Sequence, residues 1–174
     1  MGMDVAAESF YCGGKYKIAE ENLELDGLGL MDYYSSLLKE FEIIYLEDIF
    51  YEDDVDSWQR ATKSLGSKVM ISADDLVVTN PIILSNVVSE KLANTVITKP
   101  NQIGTVWETL EFVSKAKEAG LNIVVSHRSG DTEDTFIADL AYAVGADFVK
   151  FGAVDRGERT SKFNRLLELS TKTL

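Results

Sequence analysis

Six short runs, most of them apolar on both faces, recur along the chain with helical patterns between them. They cover residues 1–5, 43–47, 68–72, 95–99, 123–126 and 148–151. Val and Ile dominate these runs, as in strands buried on both sides of a parallel sheet. Between them the helix signals are regular. Asn80-Pro81 offers an N-cap with proline at the first helical position. Thr105 and Glu108 form a capping box, and Gly120 closes that helix. Another helical pattern starts near Glu133 and stops at Gly145, and further ones cover residues 30–41, 55–65 and 156–173. The structural period is roughly 25 residues, as expected for repeated βα units. The pattern therefore predicts an α/β fold: one domain of about six parallel βα units.

With 174 residues and 45% hydrophobic content, the chain can build a real core. Its formal net charge is -12. Such a surface repels phosphate backbones and anionic lipid, so nucleic acid and membrane surfaces are poor partners. An anionic ligand would need a local cationic pocket or a metal. Cys12 is the single cysteine, so no internal disulfide can form, and a cytoplasmic location is expected. No apolar run approaches the ~20 residues of a membrane span. The first residues carry no basic region and no long apolar segment, so a signal peptide is not expected.

The polar residues that close the six runs carry the chemistry. They are Asp4, Glu47 (then Asp48), Asp74 (with Asp75), Lys99, His127 (with Arg128) and Lys150. In a parallel sheet all six point to one end, where α/β proteins bind their ligands. Asp4, Glu47 and Asp74 offer three oxygen ligands, a set suited to a hard divalent cation such as Mg²⁺. The bland alternatives are N-cap duty for Asp74 or Asp75 and plain solvation for Glu47 in its acidic run. Lys99 ends a run expected to be buried, where desolvation and a neighbouring cation favour the neutral amine that can act as a base. Lys150 would be that neighbour, or would hold a carboxylate. Arg128 and the backbone at Ser129-Gly130 suit a phosphate group. A metal facing a lysine suits removal of a proton α to a carboxylate.

These residues resemble enolase (phosphopyruvate hydratase). Residues 2–11, GMDVAAESFY, look like GLDVAASEFY. Tyr45-Leu-Glu-Asp-Ile-Phe50 with Glu52-Asp-Asp54 is similar to IEDPF..EDD. Residues 73–81 resemble GDDLxVTNP, and residues 99–105 resemble KVNQIGT. Residues 126–135, SHRSGDTEDT, are similar to SHRSGETEDT, and residues 150–159 to KTGAPARSER. The resemblance runs from Gly2 to about Leu169. It implies an incomplete TIM-type (β/α) barrel, the C-terminal domain of an enolase, without the N-terminal enolase domain. It also implies a lyase interconverting 2-phosphoglycerate and phosphoenolpyruvate in glycolysis and gluconeogenesis. By resemblance Asp4, Glu47 and Asp74 bind Mg²⁺, and Lys99 takes the C2 proton. Lys150 binds the carboxylate side, and His127, Arg128 and Ser129 line the phosphate and leaving-group side.

The chain departs from the pattern at Ile49, at Pro100, at Glu8-Ser9 and at 153–155, where Asp155 adds a carboxylate. Pro100 restrains Lys99 to extended geometry. Enolases also carry a mobile N-terminal loop and two glutamates on earlier barrel strands, and nothing in the chain resembles these. Full activity is therefore expected to need parts supplied by a homo-oligomer or by a complementary enolase N-terminal chain. The alternative is a non-catalytic enolase-like remnant or interaction module that keeps the fold and metal site.

Overall fold

The structure, a computed structural model, describes residues 1–172. In chain order its elements are β1 (Gly2–Asp4), β2 (Tyr11–Cys12), β3 (Lys15–Ile18), β4 (Leu23–Leu25), α1 (Gly27–Glu40), β5 (Tyr45–Glu47), α2 (Val55–Leu65), β6 (Met70–Ala73) and α3 (Pro81–Glu90). These are followed by β7 (Thr95–Thr98), α4 (Pro100–Ile103), α5 (Val106–Glu118), β8 (Asn122–Ser126), α6 (Phe136–Ala143), β9 (Phe148–Lys150) and α7 (Gly157–Lys172). Residues 1–77 with 82–95 form one compact unit, and 78–81 with the chain from 96 onward form a second. The expected end of the last helix at Thr173 lies outside the described residues.

In the first unit β1, β5 and β6 are neighbours in that order. All pairs are parallel, with Asp4 opposite Glu47 and Glu47 opposite Ser72. The core against them is aromatic. Phe50 makes edge contacts with Tyr16, Tyr34 and Trp58 at centroid distances of 6.0 Å, a geometry that the ring quadrupole favours. Asp54 caps α2 by accepting the N–H of Ser57, and it also accepts the Tyr16 hydroxyl at 2.7 Å. Ile49, one of the departures from the enolase pattern, is fully buried.

A three-stranded antiparallel sheet, β2-β3-β4, was not anticipated. Its strands have two to four residues and carry Lys15, Lys17 and Glu24, so their hydrophobic alternation is faint. The readable signal was Gly13-Gly14, whose positive φ angles of 62° and 80° form the tight hairpin turn.

In the second unit β7, β8 and β9 follow one another, with β8 and β9 parallel and Ser126 opposite Lys150. Phe112, Ile123, Val125, Ala138 and Phe151 form the core. Thr105 caps α5 by accepting the N–H of Glu108, and its hydroxyl donates to the Glu108 carboxylate, as expected from the sequence. Gly120 and Gly145 end α5 and α6 with φ of 75° and 56°. Arg165 holds Asp139 through Nε and Nη2, tying α7 to α6.

One helix starts later than expected. The segment before α6 spends its polar side chains on local backbone: Asp131 on Thr132, Thr132 on Asp134 and Asp134 on Phe136. Such turns compete with helix, so α6 begins at Phe136 rather than near Glu133. Parallel strands in chain order, each followed by a helix, make this an incomplete TIM-type (β/α) barrel fold with six of the eight strands.

Candidate active site

In the first unit the strand ends bring carboxylates together. Glu47, Asp48 and Asp74 each place an oxygen within 4.8 Å of the others. All three are buried, at 1%, 8% and 5% exposure. Asp4 sits on the neighbouring strand in register with Glu47, with an exposed side chain. Of the expected trio, the compact group thus holds Glu47 and Asp74, with Asp48 as its third member.

Asp48 joins because the backbone turns. A strand alternates its faces, so the residue after Glu47 would point the other way. The left-handed conformation of Asp48, with φ 45°, breaks the alternation. Its carboxylate then accepts the backbone N–H of Asp74 at 2.9 Å and of Asp75 at 3.1 Å. The Asp48 N–H donates to Ser72 O, and Ala7 N–H donates to Asp48 O. One residue thus stitches together the exits of β1, β5 and β6. Burial pushes the Asp48 carboxyl up to about 7; the charges of Asp74 and Asp75 add to this, and their N–H groups oppose it. Glu47 accepts the Tyr45 hydroxyl at 2.7 Å.

Carboxylates this close repel one another when ionised, the more so where burial keeps water away. A bound cation reverses that sign. The donor set is oxygen only, which fits a hard divalent ion.

The second unit holds the basic groups. Lys99 precedes α4 in extended geometry, φ -128° and ψ 102°, as Pro100 requires. Its N–H donates to Thr79 Oγ1 at 2.9 Å. His127 donates its backbone N–H to Lys150 O, and its Nδ1 is buried without a partner among the described residues. Burial lowers the His127 imidazole below its usual value; Arg159, Lys150 and Lys162 push the same way, and Asp131 opposes. Arg128 and Ser129 are exposed. A cavity of about 380 Å³ is lined by Asn101, Ser126, His127, Arg128 and Asp131 among others. Asp155 pairs with Arg159 at 3.4 Å.

Sequence reasoning missed Lys162. Its side chain is fully buried, and Nζ donates to Thr132 O at 2.6 Å and Glu158 O at 2.7 Å. It also pairs with Asp131 at 3.2 Å. Asp131 in turn accepts the Arg128 N–H. A buried ammonium thus anchors the turn carrying His127, Arg128 and Ser129. One of two lysines in a helix that also carries Arg159 and Arg165, Lys162 gave no signal of this. Chemically, the first unit offers a cation site, and the second offers an amine together with a concavity whose Arg128 can meet an anion.

The family model described as enolase, C-terminal TIM barrel domain, matches residues 1–173. The enolase of a Nitratiruptor species is 44% identical over 174 residues, which is 100% of this chain and 41% of that protein. The enolase of Saccharolobus solfataricus is 44% identical over 172 residues, 99% of this chain and 41% of that protein. The enolase of Rubrobacter xylanophilus is 46% identical over 167 residues, 96% of this chain and 39% of that protein. The chain spans about two fifths of the length of these curated relatives.

Proposed function

Because the chain belongs to the enolase C-terminal TIM barrel family, we propose that it is an enolase-like, Mg²⁺-dependent lyase acting on 2-phosphoglycerate and phosphoenolpyruvate. The observation that carries the reading is the buried Glu47, Asp48 and Asp74 group. Glu47 and Asp74, with Asp4 beside them, would hold Mg²⁺. The bound ion supplies positive charge that stabilises the charge developing on the substrate carboxylate as the C2 proton leaves.

The chain's own residues divide the remaining work. Lys99 Nζ accepts the C2 proton. Lys150 binds the carboxylate side of the substrate. Arg128, with the turn at Ser129 and Gly130, holds the phosphate, and His127 lines the same side. Loss of the C3 hydroxyl as water needs a proton donor, and acid–base assistance is typically worth ~10²–10⁴-fold. In this reading a second copy or a complementary chain with the N-terminal enolase parts supplies that donor, in the cytoplasm. Among the described residues no helix is long and apolar enough to cross a membrane.

The test is ultraviolet absorbance of phosphoenolpyruvate formed from 2-phosphoglycerate with Mg²⁺, with Lys99→Ala as control. Weak activity that vanishes in the control supports the reading, as does activity that appears when an enolase N-terminal domain is added. No product under either condition, with Mg²⁺ still bound, would point instead to a module that keeps the fold and the metal site without turnover.

A further inference from the structure

We infer that Thr79 is a positioning residue for Lys99; this deepens the proposed function and rests on the reading of Lys99 as the base. Residues 78–81 leave the unit of the strand that precedes them and pack with the unit that contains Lys99. They do so at a conformational cost. Val78 and Thr79 are consecutive β-branched residues in the left-handed region, with φ of 41° and 55°. Such residues avoid that region because the branched side chain crowds the backbone. Strain of this kind persists only where surrounding contacts hold it, and it gathers at functional sites.

What holds it is a closed set of hydrogen bonds around Lys99. Thr79 is fully buried. Its hydroxyl accepts the Lys99 N–H at 2.9 Å and donates to Gln102 Oε1 at 2.7 Å. The Gln102 N–H donates back to Lys99 O at 2.9 Å. Both backbone polar groups of Lys99 are therefore fixed, one through Thr79 and the other through Gln102. The hydroxyl is both acceptor and donor, a pair of roles that a methyl group cannot fill. Glycine or asparagine would relieve the strain at position 79, but neither offers a hydroxyl beside the backbone. Fixing the backbone at Lys99 fixes the point from which its amine reaches for a proton. A misplacement of about 1 Å at such a point can slow proton transfer by ~10²-fold.

Thr79→Ala and Thr79→Ser both remove the crowding methyl and differ only in the hydroxyl. In D₂O with Mg²⁺ and 2-phosphoglycerate, loss of the C2 proton signal reads the transfer to Lys99. Thr79→Ala should slow that exchange by roughly 10–100-fold while substrate affinity changes little, and Thr79→Ser should keep the wild-type rate. Two further readouts do not need turnover. Lys99 amide hydrogen exchange should accelerate by about tenfold or more in Thr79→Ala only. The rate of Lys99 acetylation by acetic anhydride at a single pH, read by mass spectrometry, should change in the same variant only. A wild-type chain without C2 exchange would overturn the Lys99 reading, and the amide and acetylation measurements would then decide the Thr79 claim by themselves. Equal amide protection and equal acetylation rates in wild type, Thr79→Ala and Thr79→Ser would overturn it. Thr79→Val, which keeps the branched shape without the hydroxyl, replaces Thr79→Ala if that variant does not fold, with the same outcomes.

Discussion

Asp48 accepts the backbone N–H of Asp74 through Oδ1 at 2.9 Å, so one buried carboxylate sets where another is presented. Its second oxygen takes the N–H of Asp75. Removing that carboxylate strands the buried N–H of Asp74, worth about 1–3 kcal/mol when left unsatisfied, whereas Asp75 is exposed and its N–H can turn to water. Asp48→Ala should therefore lower unfolding stability by about 1–3 kcal/mol in urea denaturation. Mg²⁺ affinity should fall with it, because Asp74 loses its support. An unchanged denaturation midpoint would count against this role.

The same residue makes stability depend on pH. The Asp48 carboxyl titrates at about 7 in the folded chain, because of burial first, against roughly 4 in an unfolded one. The folded state thus holds this proton more tightly. Its contribution is complete below about pH 4 and is lost as pH rises through about 7, at most about 4 kcal/mol. Thermal scans should show the midpoint falling over that window. Asp48→Asn, which cannot ionise, should flatten the fall. Saturating Mg²⁺ should oppose it, because the ion binds the deprotonated form.

Lys162 should govern the turn that carries His127 and Arg128. Lys162→Met keeps most of the volume but removes the bonds to Thr132, Glu158 and Asp131. The expected loss is about 1–3 kcal/mol, from stranded carbonyls and a carboxylate that keeps partial access to water. Amide exchange at residues 128–132 should speed up while that of β8 stays slow.

His127 reports on the same region, and as the single histidine its NMR signals need no assignment. Its imidazole should titrate below 6.5. A base with a depressed folded value binds its proton more readily when unfolded. Stability from this group is therefore present above about 6.5 and is lost as pH falls through the folded value. Lys162→Met should move the titration upward, since one of the repelling cations is gone. A downward shift would contradict the placement of Lys162.

Much of this was legible in the sequence because the signals were local and repeated. The six runs became six strands, and Thr105, Gly120 and Gly145 ended helices as their chemistry requires. What stayed hidden depended on backbone turns and on long-range contacts. Asp48 entered the carboxylate group through a positive φ angle that no side-chain pattern encodes. Lys162 and Thr79 act on residues 20–30 positions away. The segment before α6 looked helical by spacing, but its Asp and Thr side chains bond the local backbone instead. The small antiparallel sheet was too short for periodicity, and only its paired glycines marked it.

The most direct test of the central claim is C2 hydrogen exchange of 2-phosphoglycerate in D₂O, followed by proton NMR with and without Mg²⁺, in the wild-type chain and in Lys99→Ala. Exchange should require Mg²⁺ and disappear in Lys99→Ala, even where phosphoenolpyruvate formation is slow. Exchange that persists in Lys99→Ala, or its absence from the wild-type chain with Mg²⁺ bound, would contradict the central claim.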